Sequence, residues 1–473
     1  MCKKVKLPED KNGLTRRDFL AKTSQAMMGM ALMPSFLRGL SPTAAFGAAP
    51  TTPVAHVTFD LFQGDSLISY FPAMDLKGSS LPAAGYASHG FDPALLSASG
   101  GINTTWGAPI ANTGGGSVTI NGTAVNNIVT MLTNAKIPGS VQFATLAAVH
   151  NNDVGQYYLA SELVSSFLNP ASPFKVVTNP PKGGGIQVQN VAGYTPIQVN
   201  SVTAYQSLLG PVGPMTAWTQ NQQVAAAALA NSMSARQMNA VQNASADGSS
   251  TLATSMMHGY NANQTTLGSA ATVPDPRTDT RVSGPFALTT ATAVTAPQAV
   301  LASLVKMVLD GQTQTIRFTP AGNFDVHTIS GQTEYQQLMG VFSTLIIPTI
   351  QTFVAQKVPF WIDITTDGSA NWNKPLTSGG TTQADDDGIS MQVSIAYNPA
   401  IAKPLVSTFA NGYAATGNVV TGSATPHVLG QGGLPTTEIN TALLRAASAI
   451  KLLTGTDPTG NSVFSPIAGF LLT

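Results

Sequence analysis

Charged residues are scarce in this sequence. Asp, Glu, Lys and Arg make up 9% of its 473 residues, against about 25% in typical soluble domains. The chain has no stretch dense enough in Lys and Arg to neutralise a row of phosphates, which excludes a nucleic-acid-binding protein. Thr, Ser, Asn, Gln and Gly supply the polar surface instead, and this composition favours an exported protein.

Cysteine is nearly absent. The one cysteine, Cys2, lies in the N-terminal leader, so the rest of the chain has no disulfide, thiolate metal site or cysteine nucleophile. A lipid anchor on Cys2 is not expected, because the leader's apolar run follows this residue instead of preceding it. That run is short and is broken by Pro34 and Arg38, so no stable membrane span is predicted.

The leader is the strongest motif that is present. Residues 15–22, TRRDFLAK, contain the adjacent pair Arg16 and Arg17 and precede the modestly apolar run. This pattern resembles a twin-arginine export signal, which predicts cleavage near Gly47 and a signal peptide over residues 1–47. It implies the twin-arginine translocase as a partner and a periplasmic or secreted protein. An uncleaved amphipathic helix or anchor is the alternative.

Strand-like and helix-like segments alternate along the rest of the chain. Short runs rich in β-branched and aromatic residues alternate with longer runs in which apolar residues recur at helical spacing. Strands are predicted at 54–62, 141–149, 313–319 and 358–367, and helices at 124–134, 154–168, 297–310, 333–356 and 436–453. This alternation predicts an α/β fold with a mostly parallel central sheet flanked by helices.

Segments rich in Gly, Pro, Ser and Asn separate these elements. Residues 48–473 are predicted to form a single large α/β domain with long loop insertions. The longest is a loop-rich insertion at about 170–295, in which residues 216–245 are Ala-rich and indicate a helix.

Polar clusters follow four of the predicted strands. They cover residues 63–66, 150–153, 323–327 and 365–369. Because binding sites of α/β sheets lie beyond the carboxyl ends of the strands, we expect these clusters to converge at one edge of the sheet.

Several short motifs occur in the same order as in a known family. They are GNFDVH at 322–327, ITTDG at 364–368, SGGT at 378–381, DDG at 386–388 and, after a terminal helix, TDP at 456–458. With the leader, they resemble the bacterial family called domain of unknown function 1501, whose exported members resemble the alkaline phosphatase and sulfatase superfamily. The stretch QGDSL at 63–67 and His150 resemble two further motifs of that family.

The resemblance implies an alkaline phosphatase-like architecture and a metal-dependent hydrolase of small phosphate or sulfate esters. It implies a hydroxyl nucleophile near the metal, for which Ser66 lies nearest the end of the first strand, and a catalytic role for His150. The implied metal ligands are Asp325, His327, Asp367 and Asp387.

The sequence departs from the family pattern in three places. Residues 366–370, TDGSA, stand where the family has Ser-Glu-Phe-Gly-Arg, so the arginine is missing. Asp387 replaces a metal-binding histidine, and the turn at 64–66 lacks its second glycine. These departures favour a second hypothesis, in which the protein is a catalytically inactive relative that acts as an envelope or extracellular binding or structural protein.

The residues themselves leave each metal ligand open to two interpretations. In extended backbone, Asp325 and His327 would point to the same side with their Cα atoms about 6.5–7 Å apart. Such oxygen and nitrogen ligands suit Zn²⁺, Mn²⁺, Mg²⁺ or Ca²⁺, whereas in an ordinary helix-entry loop Asp325 would bond nearby amides. The acidic run 385–387 is either a cation ligand or a solvated loop, and Asp367 is either a ligand or part of an Asx turn. His150 and His427 could be a metal ligand and an acid or base, or hydrogen-bonded structural histidines.

Overall fold

The structure is a computed structural model of the chain. The residues that it describes are 53–61, 70–71, 118–120, 123–125, 127–149, 157–168, 174–179, 196–209, 275–322, 324, 329, 331–366, 389–400, 414–418, 423–426 and 438–465. The backbone divides into two compact units, Met1–Ala45 with Gln206–Val273 and Phe46–Tyr205 with Pro274–Thr473. The first unit is described only at residues 206–209, the end of one helix. All described strands, and all described helices except the end of that one, belong to the second unit.

Most described strands belong to one sheet. The strands are β1 (Ala55–Leu61), β2 (Val118–Ile120), β3 (Thr123–Val125), β4 (Gln142–Val149), β5 (Val177–Thr178), β6 (Ile197–Gln198), β7 (Thr315–Phe318), β8 (Phe360–Thr366), β9 (Ile389–Tyr397), β10 (Ala414–Asn418) and β11 (Ser423–Pro426). Nine of them form a sheet in the order β11-β10-β4-β9-β8-β1-β7-β5-β6, and β2 pairs separately with β3. The predicted strands at 54–62, 141–149, 313–319 and 358–367 correspond to β1, β4, β7 and β8.

The sheet is mixed, which corrects part of the prediction. Strands β8, β1, β7, β5 and β6 are parallel neighbours. In contrast, β9 is antiparallel to both β8 and β4, and β10 is antiparallel to both β4 and β11. Half of the eight pairings are therefore antiparallel, although only β9 and β10 run against the other strands. The α/β class is confirmed, and "mostly parallel" was wrong for the pairings because β9, β10 and β11 were not predicted.

Eight α-helices are described. They are α1 (Ile128–Asn134), α2 (Tyr157–Leu168), α3 (Val202–Leu209), α4 (Thr280–Ser283), α5 (Pro297–Leu309), α6 (Gly331–Val341), α7 (Ile347–Ala355) and α8 (Glu438–Thr454). Pro297 begins α5 at a position where a missing amide proton costs no hydrogen bond. At α1, the side chain of Asn127 accepts hydrogen bonds from the amides of Val129 and Thr130, so the helix starts at residue 128 and not at 124.

A π-helical turn, Phe342–Ile346, joins α6 to α7. Pro348 follows it and has no amide proton to donate to the preceding turn, which explains the local widening of the helix. Residues Thr333–Ala355 form a helix long and apolar enough to cross a membrane, but 67% of its apolar window is buried, as in the core helix of a globular protein. By length and composition alone, this feature is weak evidence for a membrane span.

The sheet has one apolar face and one polar face. Alternation along β1 places Val57 and Phe59 on the first and His56, Thr58 and Asp60 on the second, and all of these side chains are buried. Helices α2 and α8 pack against each other over the polar face. On the apolar face, α7 contacts β8, and α5 contacts β7 and the π-helical turn. The sheet is thus covered on both sides, as expected for an α/β domain.

Candidate active site at one edge of the sheet

Five neighbouring strands meet at one edge of the sheet, which we call the C-terminal edge. Strands β4, β8, β1 and β7 end there, and the antiparallel strand β9 begins there. Val149 at the end of β4 pairs with Ile389 at the start of β9, and Leu61 at the end of β1 pairs with Thr366 at the end of β8. At about 4.8 Å between strands, these five strand ends span roughly 19 Å.

The predicted site residues lie outside the part of the chain that the structure describes. They are Ser66, His150, Asp325, His327, Asp367 and Asp387, together with Arg16 and Arg17 of the leader and His427. Their assignments therefore stay predictions. In sequence, three of the first six lie next to strands of the C-terminal edge: His150 and Asp367 directly follow β4 and β8, and Asp387 precedes β9 by two residues. Ser66 follows β1 by five residues, and Asp325 and His327 follow β7 by seven and nine.

A buried ion pair lies beside the C-terminal edge. Arg317 Nη2 donates to Asp60 Oδ2 over 2.9 Å, and Thr365 Oγ1 donates to Asp60 Oδ1 over 3.1 Å. These residues stand one position before the ends of β7, β1 and β8. Burial, with a smaller effect from the charge of Arg445, lowers the pKa of the Arg317 guanidinium to about 10 against the opposing effect of Asp60. The pair ties together the ends of three strands.

A second buried cluster surrounds Asp363 in the middle of β8. Its Oδ1 accepts hydrogen bonds from Trp361 Nε1 at 2.8 Å and from Ser394 Oγ at 2.6 Å. Its Oδ2 lies 3.2 Å from His56 Nε2 and 3.1 Å from Arg445 Nη2 of helix α8. All five side chains are buried, so β1, β8, β9 and α8 are linked through one carboxylate.

Opposing effects act on the pKa of Asp363. Burial raises this pKa, but the charge of Arg445, with the hydrogen bonds from His56 and Ser394, outweighs burial and holds it below its ordinary value. Among the described residues, His56 Nδ1 and Arg445 Nε have no hydrogen-bond partner. Asp60 pairs with Arg317 and Asp363 pairs with Arg445, so the charges of the two buried groups balance. Such paired buried charges suit a structural role.

The chain on either side of Ser66 and of Asp325 is anchored by described contacts. Tyr70 Oη donates to Glu334 Oε2 over 2.7 Å, and both side chains are fully buried. The Tyr70 ring stacks on Tyr335, with the ring centroids 4.8 Å apart. Tyr70 therefore joins the segment that follows β1 to the first turn of α6.

Gly322 and Phe324 fix the chain just before Asp325. Phe324 is fully buried, and its ring lies so close to Gly322 that a Cβ atom at residue 322 would approach it to 2.7 Å. The same Cβ would lie 2.9 Å from Gln337 Oε1 on α6. Only glycine fits there without a shift of the buried ring, which gives a physical reason for the glycine of the GNFDVH motif.

A network of charged side chains joins helices α4 and α5. Asp279 caps α4 and accepts hydrogen bonds from Arg281 and from Lys306, and Arg281 and Lys306 also pair with Asp310. The hydrogen bond from Arg281 lowers the pKa of Asp279 well below its ordinary value. Each carboxylate of the network is neutralised by a neighbouring cation. The network therefore needs no bound ligand to balance its charges. Within the described residues, no group of three or more His, Cys, Asp or Glu side chains is arranged to hold a metal ion.

The buried polar residues of the sheet were not among the residues predicted from the sequence. The signal that could have found them is strict alternation: AHVTFDL in β1 and ISMQVSIAY in β9 place a polar or small residue at every second position. That pattern would have predicted β9 as a strand. It would not have revealed that Arg445 and Asp363, 82 positions apart in sequence, form a pair.

Comparisons with known proteins add no assignment. No protein-family model matches the chain, and no curated protein or solved structure matches it. The resemblance to the domain of unknown function 1501 family therefore depends on the motifs and their order.

Proposed function

We propose that the protein is exported by the twin-arginine pathway and is a metal-dependent hydrolase of phosphate or sulfate esters with an alkaline phosphatase-like architecture. One observation carries the proposal. The five strands that meet at the C-terminal edge are the five whose adjoining segments contain Ser66, His150, Asp325 with His327, Asp367 and Asp387. The strands that precede or follow these residues in the chain thus end or begin at one edge, and α/β sheets bind their ligands at such an edge.

The chemistry of the donor set fits a divalent cation. Asp325, Asp367 and Asp387 would supply carboxylate oxygens and His327 an imidazole nitrogen, which are ligands of Zn²⁺ and Mn²⁺ and, through the oxygens, of Mg²⁺ and Ca²⁺. A cation bound by them would supply Lewis-acid polarisation of the ester oxygen. The missing arginine of the family pattern means that the site has fewer positive groups for the substrate anion.

Two residues would carry the proton transfers and the attack. Ser66, five residues beyond β1, is the candidate nucleophile, and its hydroxyl must lose a proton as it attacks the ester. His150, directly beyond β4, would accept that proton or donate one to the leaving oxygen. The buried pair of Asp60 and Arg317 supports the proposal, because it joins β1 and β7, the strands that precede Ser66 and Asp325 in the chain.

Metal analysis of the purified mature protein tests the proposal. The parent protein should retain close to one or two equivalents of Zn²⁺ or Mn²⁺ after dialysis and hydrolyse an aryl phosphate or aryl sulfate. The Asp325→Ala/His327→Ala variant should lose both properties. Asp457→Asn serves as the matched control, since this exposed carboxylate caps the short helix Pro458–Gly460 and is not a predicted ligand.

Equal and negligible amounts of bound metal in the parent protein and the double variant would contradict the proposed hydrolase function. The remaining hypothesis would then be a catalytically inactive relative that acts as an envelope or extracellular binding or structural protein. The departures from the family motifs at 366–370 and at Asp387 favour this alternative.

A further inference from the structure

We infer that the polar face of the sheet binds one internal water molecule between β1, β7 and α8, through His56 Nδ1, Thr315 Oγ1 and Arg445 Nε. All three atoms are buried, and no group in the part of the chain that the structure describes forms a hydrogen bond with any of them. Buried polar atoms nearly always have a partner, and an ordered water is the usual one where no protein group serves. The inference is independent of the proposed hydrolase function.

The strand register brings His56 and Thr315 together. They are paired residues of the parallel neighbours β1 and β7, so their Cα atoms lie about 4.8 Å apart. Arg317, two positions further along β7, pairs with Asp60 on the polar face. Residues two apart in a strand share a face, so Thr315 lies on the polar face beside His56.

Asp363 holds Arg445 next to the same imidazole. Its Oδ2 lies 3.2 Å from His56 Nε2 and 3.1 Å from Arg445 Nη2. The imidazole and the guanidinium therefore flank one carboxylate oxygen, and each has a further nitrogen, Nδ1 and Nε, that lacks a partner among the described residues. The three side chains are at most 2% exposed, so bulk solvent does not reach these nitrogens.

The charges of the cluster fix which atom donates and which accepts. The pKa of Asp363 is below its ordinary value, so its carboxylate is ionised and only accepts hydrogen bonds. His56 Nε2 therefore donates to it. Because Asp60 and Asp363 are balanced by Arg317 and Arg445, the cluster is neutral when His56 is a neutral imidazole, and Nδ1 is then an acceptor.

This pattern selects water over an ion. Nδ1 of His56 needs a donor, Nε of Arg445 needs an acceptor, and the Thr315 hydroxyl can act as either. A water molecule can donate to the first, accept from the second and bond the third, which gives it the three hydrogen bonds that buried waters typically make. An anion only accepts and would leave Nδ1 unsatisfied, and the guanidinium would repel a metal cation.

A crystal structure of the mature protein, grown with bromide in place of chloride and measured with anomalous scattering, tests the site directly. We expect one water peak within about 3.2 Å of His56 Nδ1, Thr315 Oγ1 and Arg445 Nε, without an anomalous signal. An anomalous bromide peak at this position would overturn the inference. A direct hydrogen bond between Thr315 Oγ1 and His56 Nδ1, with no water between β1, β7 and α8, would also overturn it.

Thermal unfolding of Thr315→Val tests the site in solution. Valine keeps the shape of the side chain and removes the hydroxyl, so a bound water loses one partner and the Tm should fall by about 2–4 °C. Thr352→Val is the control, because it removes a buried hydroxyl that bonds only the Pro348 carbonyl of its own helix, and its Tm should fall less.

A Tm of Thr315→Val at or above that of the parent protein would contradict the inference. Removal of a buried hydroxyl that has no partner relieves the cost of its burial, whereas removal of one that bonds a water does not. If the variant does not fold, the crystal structure of the parent protein decides between these outcomes.

Discussion

Arg445 of helix α8 lies 3.1 Å from the carboxylate of Asp363, the residue at the centre of strand β8. Both side chains are almost completely buried. The contact fixes the last long helix to the middle of the sheet through opposite charges in a water-poor interior, where an unpaired charge is costly.

Replacement of Arg445 by Met should therefore destabilise the protein strongly. The variant keeps much of the side-chain volume but leaves the Asp363 carboxylate without its cation, and we expect a loss of about 3–5 kcal/mol in the free energy of unfolding. Chemical denaturation of the mature protein measures it. The double variant Asp363→Asn/Arg445→Met should lose clearly less than the sum of the two single losses. Additive losses would mean that the two groups do not interact.

Stability should decline as the pH falls into the acid range. The pKa of Asp363 is below its ordinary value of 3.8 in the folded chain, so the unfolded chain binds this proton at a higher pH than the folded chain does. The stabilising contribution is complete above about pH 5 and is lost as the pH falls through the folded-state value. Urea unfolding between about pH 6 and about pH 3 checks this. The Asp363→Asn variant should show a shallower decline, and parallel declines would contradict the assignment.

Substitution of Gly322 by Ala should disturb the start of the GNFDVH motif. The added Cβ would approach the buried Phe324 ring to 2.7 Å, and we expect a destabilisation of about 1–3 kcal/mol, typical of overpacking. Thermal unfolding measures the change. Gly340→Ala on α6 is the matched control, because no atom lies within 4 Å of its added Cβ. The prediction is wrong if both variants unfold at the parent's temperature.

The leader gives a prediction that is independent of the fold. Replacement of Arg16 and Arg17 by Lys keeps the charge of the leader but removes the paired guanidinium groups. We expect the precursor to accumulate in the cytoplasm uncleaved, as shown by fractionation and immunoblotting. A matched Lys3→Arg/Lys4→Arg variant should be exported normally. Normal export of the first variant would exclude the twin-arginine pathway.

The elements that sequence predicted well are those with a strong local signal. Strand β8 begins with three consecutive apolar residues, and helix α5 begins at a proline and ends before Gly311, which adopts a positive φ of 72°. Such features act within a few residues and can be recognised without knowledge of the tertiary structure. Predicted and observed bounds accordingly differ by one to three residues for most of these elements.

What could not be predicted depends on partners far along the chain. His56 belongs to a strand that is apolar at every second position, and nothing local indicates that its imidazole meets Asp363. The insertion of β9 between β4 and β8 is equally non-local, because its pairing with β4 joins residues 240 positions apart, such as Val149 and Ile389. The polar clusters that follow the predicted strands indicated one shared edge for the candidate site, but a sequence pattern carries no information on side-chain directions.

The antiparallel placement of β9 beside β8 also has an evolutionary consequence. When neighbouring strands are antiparallel, one ends and the next begins at the same edge of the sheet, so the connection between them needs no crossover. Residues can be gained or lost between Thr366 and Ile389 without re-threading any other strand. The length and sequence of this connection, including the stretch around Asp387, can thus change during evolution while the order and connectivity of the other strands stay the same.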